Sequence, residues 1–319
     1  MLNNASSFVI CILPRKSLPW EEFVATTPRN SIALDGVVLG GPRFDTNTGH
    51  VNFDHHDHVV REATMSTAMQ VYFAIKGGLM ESFISGSSSR VSVYINDTDQ
   101  DTSFAVWLLL NYKKFEGVQS IPNINRLLAL TDRWDITGGA FPMNLDDQLV
   151  RQHNWVFLPY TNLRKSGGLA QATEQIMLDN LEAVMGRLNK FMMGQPEEVE
   201  LDIRHEIFYD SPKFKIVDEI GGNSARYFLF GKGMNAFISL VARRSDGRFV
   251  YSVGRRSQYI PFPVEELYDD FNAAEGLNRE NGWNGSTIIG GSSRLSGSCL
   301  TWQQLRDITN NRLGKESLR

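Results

Sequence analysis

The apolar runs SFVICIL, SIALDGVVLG, HVNFD and RVSVYIND alternate with stretches of helical periodicity, and this alternation limits the fold more than any other feature. RVSVYIND has the two-residue period of a strand, with Val91, Val93 and Ile95 on one side. REATMSTAMQVYFAIKGGL predicts a helix, with Met65, Ala68, Met69, Tyr72, Phe73 and Ile75 on one stripe and Gly77-Gly78 at its end. SFAVWLLLNYKKF and INRLLALTDRWD predict two more. Strands interleaved with helices predict an α/β domain with a mostly parallel sheet flanked by helices. Ligands of such sheets sit at the carboxyl ends of the strands.

The stretch from Gly167 to Gly194 predicts one long amphipathic helix, followed by Pro196 and the acidic Glu197, Glu198 and Glu200, which mark a linker. Beyond it IRHEIFYDSPKFKIVDEI, ARYFLFGKG and NAFISLVARRSDGRFVYSVGRR form a β-rich run. Asp246-Gly247 signals a hairpin turn within it. A helix, PVEELYDDFNAAEGL, and a glycine- and serine-rich stretch follow. The expected organisation is a first domain over residues 1–195, containing the connecting helix at 167–194, and a smaller α+β domain over 200–319.

With 42% hydrophobic and 21% charged residues, the composition is that of a globular chain. A net charge of −4 argues against a partner of long duplex nucleic acid. FVICIL is short, and Arg15 and Lys16 follow it, so it predicts a buried strand in place of a signal peptide. No run approaches the ~18 apolar residues of a membrane span. Cys11 and Cys299 do not make a disulfide framework, which fits a reducing compartment. The expectation is a cytoplasmic protein with no membrane partner; a homodimer stays open.

Four of the six histidines, His50, His55, His56 and His58, fall in HVNFDHHDH. Aspartates recur where strands should end: Asp35 after SIAL, Asp54 after HVNF, Asp97, Asp99 and Asp101 after VSVYIN, and Asp132 and Asp135 after LLALT. Taken singly, Asp35-Gly36 fits a turn, the 97–101 run fits a helix N-cap, and Asp132 fits a solvated loop. Together they fit one site, because carboxylates converging on a sheet edge repel unless a cation compensates them. Oxygen and nitrogen donors without thiolate suit Mn²⁺ or Mg²⁺.

Asp54-His55-His56 resembles the triplet of the DHH phosphoesterase superfamily, and the resemblance extends further. Asp35 lies 20 residues before His55, a helix rich in Ser and Thr follows the triplet, and Asp132 stands where a later aspartate is expected. DTDQDTS supplies the Asp-x-Asp motif through Asp97 and Asp99, with Ser103 four residues on. This motif follows the triplet here, where the family has it before, and Val93 to Asn96 lack the usual upstream His. IIGGSSRLSGS resembles the phosphate loop of the associated domain, with Ser292 where His is common.

The resemblance implies a phosphodiesterase acting through two metal ions, Mn²⁺ or Mg²⁺. It implies Asp35, His55, Asp97, Asp99, Asp101 and Asp132 as ligands. Asp54, His55 and His56 are the implied catalytic triplet, Asp54 orienting His55 and His56 meeting the substrate. Gly290, Gly291, Ser292, Ser293 and Arg294, with Arg255 and Arg256, would bind substrate phosphate. The implied substrate is a cyclic dinucleotide, a short oligonucleotide or a nucleoside bisphosphate. A nucleotide sensor that lost the chemistry, and a pyrophosphatase-like hydrolase, are the alternatives.

Overall fold

The computed structural model describes residues 7–84 and 90–316. They form two compact units, one of residues 7–84, 90–136 and 147–199, the other of 137–146 and 200–316.

The first unit is a mostly parallel sheet flanked by helices. Its strands are β1 (Phe8–Ile12), β2 (Ser31–Leu34), β3 (Arg43–Asp45), β4 (His50–Phe53) and β5 (Val91–Ile95), in the order β1-β5-β2-β4-β3. Only β3, at the edge, runs antiparallel. All of β2 is buried, as a strand covered on both faces must be. Alternate residues go to opposite sides. Ile32 and Leu34 join the large core, while Ala33 packs with Trp20 and Phe23 of α1 (Trp20–Thr26). The large core is closed by α2 (Thr67–Lys76), α3 (Leu79–Phe83), α4 (Gln100–Leu110), α5 (Pro122–Ile136), α6 (Gln148–Lys165) and α7 (Glu174–Met192). α4 is buried from Asp101 to Leu109, so it lies inside the helical layer. Because β1, β5, β2 and β4 are parallel, their carboxyl ends share one sheet edge. Asp35, Asp54 and the segment from Asp97 to Asp101 follow three of those ends.

The second unit has strands β6 (Glu206–Asp210), β7 (Lys215–Asp218), β8 (Ala236–Arg243), β9 (Phe249–Arg255), β10 (Asn284–Gly285) and β11 (Ile289–Gly291) in the order β10-β11-β9-β8-β7-β6. β8 and β9 pair antiparallel across Asp246-Gly247, where Gly247 takes a φ of +81°. One face packs against α9 (Val264–Glu275) and α10 (Trp302–Glu316), the other against α8 (Asn223–Gly231).

Several local expectations change. ARYFLFGKG is no strand: it lies in α8 and the turn after it, and its buried residues Ala225, Arg226, Leu229 and Phe230 recur at helical spacing despite their aromatic, strand-like composition. The helix expected from Gly167 begins at Glu174, where Thr173 caps Ile176 N; Gly167, at φ +74°, and Gly168 break the earlier turns. The helix after the triplet starts at Thr67, because Ser66 caps it and residues 61–63 form a separate 3₁₀ turn. Residues 137–146 cluster with the second unit, where Ala140 packs against Leu229 and Phe230. Asp132 and Asp135 belong to α5 and end no strand.

Candidate metal centre

At the carboxyl edge of the sheet, β2 ends in Asp35, a non-glycine residue at φ +51° and 7% exposed. Aspartate tolerates this left-handed conformation better than most residues, though at a cost. Asp35 N donates to Phe53 O at 2.9 Å, which ties the turn to the end of β4. Its carboxylate accepts from the hydroxyls of Thr67 (3.1 Å) and Thr102 (3.1 Å). The same carboxylate lies 3.2 Å from His56 Nδ1 and 3.6 Å from His55 Nε2. Burial works against its charge, but the two imidazoles and the Thr102 hydroxyl hold Asp35 well below the usual carboxylate range.

Asp54 Oδ1 accepts from His55 N (2.6 Å), His56 N (2.9 Å) and His56 Nδ1 (3.0 Å). This corrects the expected pairing. Asp54 orients His56, and the carboxylate nearest His55 is Asp135, with Oδ2 at 2.6 Å from Nε2. The reason is local: a side chain that bonds the next two backbone N–H groups folds back on its own turn and reaches the ring two residues on. Burial opposes a charged His55, yet Asp135 and Asp35 outweigh it and push its pKa up to about 11.

Asp101 comes from the first turn of α4 and is 1% exposed. Its oxygens accept from Thr67 N (2.6 Å) and Ala68 N (2.9 Å), so it satisfies the N-terminus of a different helix, α2. It also lies 3.8 Å from His55 Nε2. Burial, Asp135 and Asp35 push its pKa up to about 8. Asp99 caps its own helix through Thr102 N (2.9 Å). Burial, followed by Asp35, Asp97, Asp135 and Asp101, pushes Asp99 well above the carboxylate range. Asp97 accepts from Thr98 N and from the Tyr160 hydroxyl at 3.0 Å. Asp132 accepts from Ser66 N at 2.8 Å, and burial raises its pKa.

Donor atoms converge in two groups among the described residues: Asp35, His55 and His56, and His55, Asp101 and Asp135, each within 4.8 Å. Asp97, Asp99 and Asp132 lie outside these groups. Asp135 had not been singled out as a ligand; its signal in the sequence was the spacing of Asp132 and Asp135, i and i+3 on one face of α5. The two groups could hold a metal ion. His55 Nε2 and Asp135 Oδ2 stand 2.6 Å apart as an ion pair, yet neither atom, nor His55 Nδ1, has a hydrogen-bond partner in its buried position. Unsatisfied buried donors of this kind are costly unless a cation takes them up. Burial first, and then the neighbouring carboxylates, raise the pKa values of Asp99 and Asp101, so a cation here would relieve both.

The other histidines do different work. His50 contacts the Thr27 hydroxyl at 3.0 Å and the edge of Phe23. His58 is exposed, at φ +54°, beside Asp57. His153 is fully buried between Trp134 and Phe157, and burial pushes its pKa down to about 3.

In the second unit, the residues read as a phosphate loop are largely sheet. Gly290 and Gly291 stand in β11 between β9 and β10. A Cβ on Gly291 would lie 2.1 Å from Tyr251 O, and one on Gly290 2.3 Å from Asn284 O and the Tyr268 hydroxyl. Close strand packing therefore explains these glycines. Ser292 exchanges hydrogen bonds with Tyr251, its N donating to Tyr251 O and its Oγ accepting from Tyr251 N. Ser293 Oγ accepts from Ser296 N in the following turn, which leaves Arg294 exposed. Arg255 donates to Thr287 O and Ile260 O; Arg256 is half-buried, its N donating to Asn235 O.

Among the described residues no helix is long and apolar enough to cross a membrane. No protein-family model matches this chain, and neither does any curated protein.

Proposed function

We propose that the first unit is a metal-dependent phosphoesterase of the DHH kind, hydrolysing a phosphodiester in a small nucleotide or short oligonucleotide. The observation that carries this reading is the pair of donor groups sharing His55 at the carboxyl edge of a parallel sheet. Asp35, His55, Asp101 and Asp135 would hold Mn²⁺ or Mg²⁺, two ions by resemblance, with Asp97, Asp99 and Asp132 adding charge around them. Such ions acidify water and neutralise charge developing on a phosphoryl group.

The chain's own residues do the rest. Thr67 and Thr102 hold the Asp35 carboxylate from both oxygens, so a ligand on a left-handed turn keeps one orientation. His56 has its Nδ1 engaged by Asp54 and Asp35, while 40% of its side chain is exposed. Its Nε2 is then the atom that donates to a phosphoryl oxygen or to the leaving oxygen.

The test is Mn²⁺-stimulated hydrolysis of bis-p-nitrophenyl phosphate by the full chain, with Asp35→Asn and His55→Ala as variants. Loss of at least 10²-fold in kcat/KM in both is expected. Unchanged activity in both overturns the assignment. Two equivalents of Mn per chain support the enzyme, whereas metal-free protein that binds nucleotide supports the sensor.

A further inference from the structure

Arg61 has no part in the reading above, yet it reaches the same carboxylate. It lies five residues after His56 in the 3₁₀ turn Arg61–Ala63. That turn is closed by Ala63 N to Val60 O (2.9 Å), Thr64 N to Arg61 O (3.2 Å) and the Thr64 hydroxyl to Val60 O (3.0 Å). From this base the guanidinium crosses to the last turn of α5. Nη2 donates to the main-chain oxygen of Asp135 at 3.0 Å and stands 3.7 Å from its Oδ1. The Arg61 side chain is 14% exposed, and Nε is buried without a hydrogen-bond partner.

Two features make this contact selective. The carbonyl of Asp135 lies among the last four of α5, which have no partner within the helix, and a cation there is favoured by the helix dipole. The carboxylate of Asp135 is divided, with Oδ2 toward His55 and Oδ1 toward Arg61. A guanidinium that fixes both the main chain and one carboxylate oxygen sets which oxygen is presented to the donor group.

We infer that Arg61 is a positioning residue that holds Asp135 as a metal ligand, joining the segment that carries His55 and His56 to the end of α5. This rests on the metal-centre reading. Groups that orient ligands in this way change metal affinity about 10–100-fold when removed.

The experiment is calorimetric titration of the metal-free full chain with Mn²⁺, for wild type, Arg61→Met, Arg61→Lys and Asp135→Asn, and for Arg61→Met combined with Asp135→Asn. Arg61→Met should weaken Mn²⁺ binding about 10–100-fold. Arg61→Lys should restore part of it. In the Asp135→Asn background the Arg61→Met effect should disappear, an outcome that general loosening of the fold does not give. If Arg61→Met fails to fold, as judged by circular dichroism, Arg61→Gln takes its place. Wild-type affinity in Arg61→Met, or an undiminished effect in the Asp135→Asn background, overturns the inference and leaves the metal centre standing. A wild-type chain that binds no Mn²⁺ overturns both.

Discussion

Asp101 caps a helix to which it does not belong: its carboxylate, carried by α4, accepts from Thr67 N at 2.6 Å at the start of α2. The acid is therefore both a structural clamp between two helices and a member of the donor group with His55 and Asp135.

The two roles separate by substitution. Asp101→Asn keeps an acceptor for one of the two N–H groups and should change the metal-free stability by less than about 1 kcal/mol, whereas Asp101→Ala loses both and should cost about 1–2 kcal/mol. Both should abolish stabilisation by Mn²⁺. Urea unfolding with and without the ion checks this, and a full Mn²⁺ response in Asp101→Asn would exclude the carboxylate as a ligand.

His153 sets an acid limit. In the fold it stays neutral down to about pH 3, while in the unfolded chain it titrates near its ordinary 6.5. Between those values the unfolded state binds the extra proton, so this group's contribution to stability falls as pH drops from 6.5 toward 3. The slope approaches about 1.4 kcal/mol per pH unit. His153→Phe should remove that slope between pH 6 and 4.5 in urea titrations, even if it lowers stability at pH 7 by losing the 3.1 Å contact of His153 Nε2 with the Thr131 hydroxyl. An unaltered slope would mean that His153 accepts a proton in the fold.

Asp35 tests the left-handed turn. Asn tolerates φ +51°, so Asp35→Asn should keep the turn while losing metal binding and the charge that faces His55 and His56. Asp35→Val should add backbone strain of about 1–3 kcal/mol. Equal melting temperatures for the two would show that the backbone relaxes at no cost.

Arg226 and Glu219 form a buried pair in the second unit, each 3% exposed, with Arg226 Nη2 2.9 Å from Glu219 Oε2 and the guanidinium 4.5 Å from the Phe237 ring centroid. Arg226→Met strands a buried carboxylate and should cost about 3–5 kcal/mol. The double variant Arg226→Met, Glu219→Leu should recover most of that. A single variant as stable as wild type would mean that Glu219 finds another partner or takes up a proton.

Much of the first unit was legible because two-sided burial and strict alternation leave little choice: VSVYI and SIAL read as strands, and the acids after them fall on the expected edge. The exceptions have definite causes. α8 carries strand-like aromatics at helical spacing, so composition and period disagreed and the period won. Asp54 and His55 are adjacent in sequence, but a one-residue step cannot aim a carboxylate at the neighbouring ring as readily as a two-residue turn can. Asp135 and Arg61 meet across 74 positions, a contact no local pattern encodes. Gly290 and Gly291 illustrate the reverse: a glycine pair signals close backbone approach, and here what approaches is the protein's own Tyr251 and Tyr268.

The placement of β5 between β1 and β2 also orders events during synthesis. β1 and β2 leave the ribosome early, yet neither meets the other: β2 can pair with β4 soon after, but β1 and the second edge of β2 both wait for β5, encoded some 60 to 80 positions later. Closing loops of that length is slow compared with helix formation. Until Val91 to Ile95 insert, β2 has an open edge, and Asp35 lacks the Thr102 hydroxyl that steadies it. Assembly of the donor groups is then a late event that follows closure of the sheet, and nascent chains that end before Ile95 would hold the triplet and Asp35 without Asp101 and Asp135.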